Sequence, residues 1–543
     1  MEEIAVFSLT RRILFKNVAS LLAATALSSG GLIQAGALAQ EAGKPRSGGT
    51  LNFLAAVQPP QLVPFSPDYS RSIGPKIVEG LLRYDFNLSP KPALATAWKV
   101  SEDALTYTFN LREGVKWHDG KPFTAEDAAF SIQLLKKIHP RGRATFANVV
   151  SSETPDAHTL VLRLSKPAPY LLNALVSSET PIVAKHIYDG TDPQTNPSSN
   201  APIGTGPFRF VELVHGSHLI VERNPDYWDV GKPYLDRIIF RFVDDQAARG
   251  IALETGEADV ASGAVVPLSD VDRIKGLSHI SIDYRGTVFD AGVKRLEFNL
   301  DNQYFKDIRV RQAVAHAIDK NVLHNVIWYG FGEIVTGPIS PDLVPFRVEG
   351  LPSYDFNPAK AEKLLDDAGY PRGADGIRFH VVHDFRPATE GDRRTADYVK
   401  QALSKVGIDV EVRVQDFATY VKRVYTDRDF AFTANSMTNT FDPTVGVQRL
   451  YWSKNFKPGV PFSNGSHYSN PKVDALLEAA AVEVDIARRK QLWTDVQKQV
   501  IADLPDLNFL TDFQFALVNK RVVDAITDAA GISGDFASTW INA

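Results

Sequence analysis

The residue types that could do chemistry in this chain are scattered, and few stand at a spacing that a reaction requires. With no cysteine among 543 residues, disulfides, thiolate metal sites and a thiol nucleophile are all excluded. The two closest histidine pairs, His215/His218 and His380/His383, suit a turn and a strand end better than a shared metal. There is no H-E-x-x-H, no Walker A lysine loop and no G-x-S-x-G elbow. Ser469-Asn470-Pro471-Lys472 fits S-x-x-K, but Asn470 before Pro471 reads as a helix start, and the S-D-N and K-T-G companions are absent. Gly204-Thr205-Gly206 lacks the third glycine of a dinucleotide fingerprint. Nothing here supports an enzyme or a cofactor. Binding chemistry is easier to find. Arg449, Tyr451 and Trp452 put a guanidinium among flat rings, which can line a mixed pocket, although Tyr451 also reads as a core anchor.

The elements that would position such groups are legible in places. Leu105, Tyr107, Phe109 and Leu111 alternate with Thr106, Thr108 and Asn110, the period of a half-buried strand. A break at Arg112–Gly114 precedes a second short strand, predicted at Val115–His118, and Asp119-Gly120 signals a turn. Thr124, with Asp127 three residues on, caps a helix that begins at Ala125. Thr50–Ala56 reads as the first strand and 73–82 as a helix. Strands are predicted over Arg209–Val214 and 218–222. Helices are predicted over 308–318, from Asn357-Pro358, and in two pieces over 471–502.

The stretch Ala93–Ser131 resembles the signature of family 5 bacterial extracellular solute-binding proteins, the receptors that hand peptides, nickel chelates and opines to ABC importers. Further motifs carry the same resemblance: Gly204-Thr205-Gly206-Pro207-Phe208, Asn224-Pro225-Asp226-Tyr227-Trp228, Asn299–Lys320 and Tyr354–Tyr370. The resemblance implies an α/β fold that is periplasmic-binding-protein type II-like, with two lobes of mixed sheets, a cleft, and an additional inserted domain. Lobe I would comprise 46–85, 201–285 and 508–543, the inserted domain 86–200, and lobe II 286–507.

The same resemblance suggests site residues. Arg386, just before Pro387, matches an arginine that dipeptide-binding members offer to the peptide carboxylate; its planar fork suits that task. The alternative is a surface arginine paired with Asp384. Phe441-Asp442-Pro443 resembles the D-P after the ligand loop of peptide-binding members. Three positions before that D-P, where those relatives place an ammonium-binding aspartate, this chain has Asn439. An amide gives an ammonium only neutral hydrogen bonds, so this reading favours an anionic or neutral conjugate. Arg449 and Trp452 follow on the same segment. Gln58, Tyr69 and Arg71 are expected to face the cleft from the opposite lobe. Gly204-Thr205-Gly206 is expected beside the hinge.

The N-terminus reads as an export signal. Thr10-Arg11-Arg12 begins a twin-arginine pattern, a mildly apolar stretch follows over 18–35, and Ala37-Leu38-Ala39 is a cleavage pattern, giving a signal peptide over 1–39. A formal net charge of −5, with both signs dispersed, offers no basic block for nucleic acid and no cationic amphipathic helix for a membrane. The expected protein is a periplasmic monomer without a cofactor. It would capture a peptide-like or opine/sugar-conjugate small molecule by hinge closure and deliver it to the transmembrane permease of an ABC importer. The alternatives are a conventional di- or oligopeptide receptor and, in another class, a periplasmic hydrolase.

Overall fold

The computed structural model describes residues 44–55, 58–65, 72–139, 141–285, 289 and 291–542. The expected signal peptide, Tyr69 and Arg71 lie outside the described residues. Thr106–Leu111 forms the predicted strand, with Tyr107, Phe109 and Leu111 buried. It pairs with Ala95–Val100 and Thr159–Leu164 in a four-stranded antiparallel sheet completed by Val149–Asp156. Thr124 and Asp127 form a capping box at the start of helix Ala125–Ile138. Val115–His118 is not a strand. Trp117 N–H donates to Lys121 O in a tight loop, which leaves a single bridge, Lys116 to Pro122. The helix predicted over 73–82 is confined to Gly74–Ile77. Val78 is already extended, and Gly80 lies against the backbone of Leu175–Ser177, where helical side chains would not fit.

Two mixed sheets carry most of the rest, beside two small strand pairs, Leu82–Tyr84 with Pro90–Pro92 and Val522–Val523 with Trp540–Ile541. In the seven-stranded sheet the order is Ile280–Asp283, Ala516–Asn519, Val260–Ser262, Thr50–Ala55, Arg237–Phe242, His218–Arg223 and Phe208–Val214. The five-stranded sheet is ordered Ile408–Arg413, Phe379–Phe385, Phe432–Thr438, Gly292–Phe298 and Asp506–Asp512. The chain passes between these sheets twice, from Asp283 to Gly292 and from Asp512 to Ala516. Asp506–Asp512 pairs along its length with Gly292–Phe298, so the expected segment start at 508 falls inside this strand.

Gly204-Thr205-Gly206 does not lie at either passage. A Cβ on Gly204 would sit 1.8 Å from Ile77 O, Gly206 N–H donates to that same oxygen at 2.9 Å, and Thr205 Oγ1 donates to Glu79 at 2.9 Å. The glycines let this segment press on the short helix beneath it. One buried apolar cluster runs from Phe53 and Tyr107 through Phe289 and Phe441 to Trp493, so elements of the three larger sheets pack together. Among the described residues no helix is long and apolar enough to cross a membrane.

Two imidazoles, His118 half-buried and His383 buried, give this packing an acid limit. His118 Nδ1 accepts from Gly204 N–H at 3.2 Å and its Nε2 faces Gly206 O at 3.0 Å, while His383 stacks on Phe432 with ring centroids 4.3 Å apart. Burial pushes both down to about 4. Because these folded-state values lie below the unfolded value of roughly 6.5, the unfolded chain takes the protons first. Their contribution is complete above that value and is lost as pH falls toward 4. Urea unfolding at pH 7 and pH 4.5 is expected to show a loss that His383→Leu reduces by roughly 2 kcal/mol.

Candidate ligand-binding site

Strand direction selects one edge of the five-stranded sheet. Ile408–Arg413, Phe379–Phe385, Phe432–Thr438 and Asp506–Asp512 run parallel, and Gly292–Phe298 runs against them. Four carboxyl ends and the start of the fifth strand therefore share an edge, from which both passages to the other sheet depart. Open α/β sheets bind ligands at such an edge.

A charged cluster stands there. Lys294, 6% exposed, places Nζ 2.9 Å from Asp512 Oδ1 and 3.9 Å from the ring centre of Trp328. Ser436 Oγ donates to Asp512 Oδ2 at 2.7 Å. Burial raises the Asp512 carboxyl, but Lys294, Ser436 and Arg386 outweigh it and hold the group below its ordinary value. Asp392 is pushed up by burial, against the pull of Lys294, the Thr389 hydroxyl and Arg386.

Arg386 belongs to this cluster. Its N–H donates to Ala434 O at 2.9 Å, which fixes it to the strand end, and its guanidinium lies 6.0 Å from the Phe417 ring. Arg386 Nε is buried without a hydrogen-bond partner. Asp384, the partner considered for it in sequence, instead binds Arg413 at 2.5 Å and Gln415 at 2.8 Å. The edge thus sets two cations, two carboxylates and two aromatic faces side by side, suited to a small solute with charged and flat parts.

The other sequence-selected residues are held by the protein itself. Asn439 is fully buried, donates to Pro338 O at 3.0 Å and accepts from Ser340 N–H at 2.6 Å. It fastens the 338–340 segment, so the preference for a ligand without an amine loses its residue. Asp442 caps Pro443–Gly446 and takes both arms of Arg489 at 2.7 and 2.8 Å. Phe441, 2% exposed, stacks on Phe289 at 6.2 Å. Arg449 donates to Gly446 O at 3.1 Å and to Phe462 O, and Trp452 donates to Glu478 at 3.0 Å. Tyr451 is the core anchor, its hydroxyl donating to Asp506 at 2.7 Å. Gln58 is engaged in a hairpin turn, 2.9 Å from His215 Nδ1 and from Gly216 N.

His380 is exposed beside Asp409, whereas His383 is buried three residues on, so the two share no metal. Among the described residues no cluster of His, Asp or Glu is arranged to hold a metal ion. Lys294, Ser436 and Asp512 were not singled out in sequence. They lie on three strands far apart in sequence, and the pairing register brings them together.

Tyr84 and Tyr170 stand near Asp442. Tyr170, pushed up to about 12 by burial and by the Asp442 charge, looks across at the Asp442–Arg489 pair. Tyr84 stands 5.9 Å from Phe289, centroid to centroid, and is raised by burial and by the charges of Glu179 and Asp442.

Comparison with known proteins agrees with this architecture. A protein of Brucella ovis named as an ABC transporter peptide-binding protein is 30% identical over 457 residues, covering 82% of this chain and 83% of its own. The periplasmic binding protein of Helicobacter pylori solved with the peptide STSA superposes with a TM-score of 0.79 at 25% identity, covering 92% of this chain and 99% of its own. A binding protein of A. tumefaciens R10 in complex with agropinic acid gives 0.76 at 26% identity, covering 91% and 99%. These neighbours have the type II periplasmic-binding-protein fold, which is the fold of this chain. The family profile described as bacterial extracellular solute-binding proteins, family 5 Middle, matches residues 89–465, and the chain belongs to that family.

Proposed function

We propose that this chain is the periplasmic receptor of an ABC importer, and that it closes over a small solute carrying an anionic group. The lobes are those built on the seven- and five-stranded sheets, the segment 86–200 is the inserted domain, and the hinge is where the chain leaves one sheet for the other, after Asp283 and after Asp512. Arg386 takes the anion. The supporting observation is its buried Nε, unpaired at the carboxyl edge beside Phe417. A charged donor so placed lacks only a partner, and a carboxylate or phosphate supplies one. Closure follows because contacts from both lobes exist only in the closed form. The permease reads the closed rims, and the solute leaves unaltered.

A peptide-like or opine-type solute fits this edge. Native mass spectrometry of the purified protein is expected to reveal one co-purified small molecule. Thermal-shift screening with peptides, opines and sugar phosphates should then find a class that raises the melting temperature, and the ligand should be recovered intact after long incubation. Conversion of the ligand, or no response from any class, overturns the proposal. A free-amine peptide receptor is the second reading. It is favoured by Asp392 and Asp512, two carboxylates within the field of Arg386.

A further inference from the structure

A second pocket, of about 60 Å³, lies under the short helix Gly74–Ile77 and the turn at 528–535. Its lining includes Glu79, Asp528 and Asp535 against a single lining cation, Arg83. Two hydroxyls on its wall, Tyr84 OH and Ser177 Oγ, are buried with no hydrogen-bond partner, and Tyr84 is 3% exposed. Buried polar groups rarely stay unpaired, so two such groups among the residues lining one largely apolar pocket point to an occupant.

The acids are placed to receive it. Glu79 is satisfied by Thr205 at 2.9 Å, Tyr227 at 3.1 Å and Trp228 at 3.0 Å. Asp528 and Asp535 each accept a backbone N–H of their own turn at 2.9 Å through Oδ1. Lys76 does not neutralise them at close range. Its Nζ donates to Ile532 O at 2.6 Å and lies 4.0 Å from the Phe536 ring centre, pinning the acidic turn to the helix. Glu179, on the segment behind Ser177, is bound to Arg141 at 2.8 Å. Phe289, on the passage between lobes, forms another wall and stacks on Phe441 of the opposite lobe. The volume suits one functional group, not a whole solute.

We propose that this pocket is a second subsite, which takes an ammonium or guanidinium group of the captured solute while Arg386 holds its anionic end. The inference rests on the receptor reading above and narrows the ligand to one bearing both charges. The counter-charge for a cation then comes from lobe I, not from the Asn439 position.

Matched probes test it by calorimetry and thermal shift: the peptide STSA against its N-acetylated form, and octopine against alanopine, which lacks the guanidinium. The cation-bearing member of at least one pair is expected to bind tenfold or more tightly than its partner. Asp528→Asn and Asp535→Asn should remove that advantage. Tyr84→Phe should weaken binding severalfold yet leave the unliganded melting temperature unchanged or higher, since its hydroxyl has no partner to lose. The advantage should grow from pH 5 to 7.5. Burial pushes Asp528 up to about 6 and Glu79 up to about 7, and Lys76 down to about 7, so each shifts the site toward negative charge over that window. Equal affinities within both pairs, or an advantage that survives both Asn variants, overturn the subsite while leaving the receptor reading intact. No binding of any of the four overturns both.

Discussion

Arg295→Met is expected to destabilise the protein by about 3–5 kcal/mol. Arg295 is 2% exposed in the central part of the five-stranded sheet. Its arms donate to Asp506 at 2.6 Å, Glu297 at 2.8 Å and Asn435 at 3.0 Å. Tyr451 OH donates to Asp506 at 2.7 Å and Asn435 Nδ2 to Glu297 at 2.9 Å, so the two carboxylates share one cation inside a closed hydrogen-bonded set. Burial opposes the Arg295 charge, but Glu297 and Asp506 more than compensate and hold it raised. Without it, two carboxylates that are 1% and 3% exposed face each other with no counter-charge. They must take up protons or draw in water, and either costs folding free energy. Urea unfolding at pH 7 measures the loss. Lowering the pH should narrow the gap between variant and parent, because protonation removes the uncompensated charge from the variant first. Replacing Arg295, Glu297 and Asp506 together by apolar residues of similar volume should recover much of the stability, because no lone charge is left behind. A single-variant loss under about 1 kcal/mol would mean that the network contributes little.

This network marks where the sequence stops being readable. Strand Thr106–Leu111 and the Thr124 capping box are encoded within a few residues, as are the Asn-Pro starts of helices Pro358–Asp367 and Pro471–Ala480, and all of them form. The family resemblance led to the fold through motifs of the same local kind. Charge placement is different. Gly292–Phe298 contains Lys294, Arg295 and Glu297, yet every residue of it is buried. The partners that make such burial tolerable lie more than a hundred residues away, at Asn435, Asp506 and Asp512. Asn439 shows the same limit. Its position was legible from the resemblance, but its occupation by Pro338 and Ser340 depends on a loop about a hundred residues upstream. Arg386 was found because its motif is local. That it belongs with Lys294 and Asp512 follows from strand register, while Asp392 stands six residues on, in the first turn of the next helix.

Arg386→Ala is expected to weaken binding of an anionic solute by about a hundredfold or more, equivalent to roughly 3 kcal/mol. On the proposed reading the guanidinium would donate two parallel bonds to a carboxylate beside Phe417, and truncation would leave the ligand's charge facing Asp392 and Asp512. Loss of attraction and gain of repulsion then act together. Arg386→Lys should recover only part of the affinity, because an ammonium supplies charge without the fork. The unliganded protein should lose no hydrogen bond at Arg386 Nε in either variant, and Arg386→Lys should also keep the positive charge that supports Asp512. Calorimetry with the co-purified ligand, beside melting curves of the empty variants, separates these effects. Asn439→Ala provides the contrast: it should lower the melting temperature by releasing the 338–340 segment, with affinity changing only as far as that loop does. If Arg386→Ala bound as tightly as the parent, or if Asn439→Ala alone abolished binding in a protein of unchanged stability, the ligand would have to sit away from the carboxyl edge, against the loop that Asn439 holds.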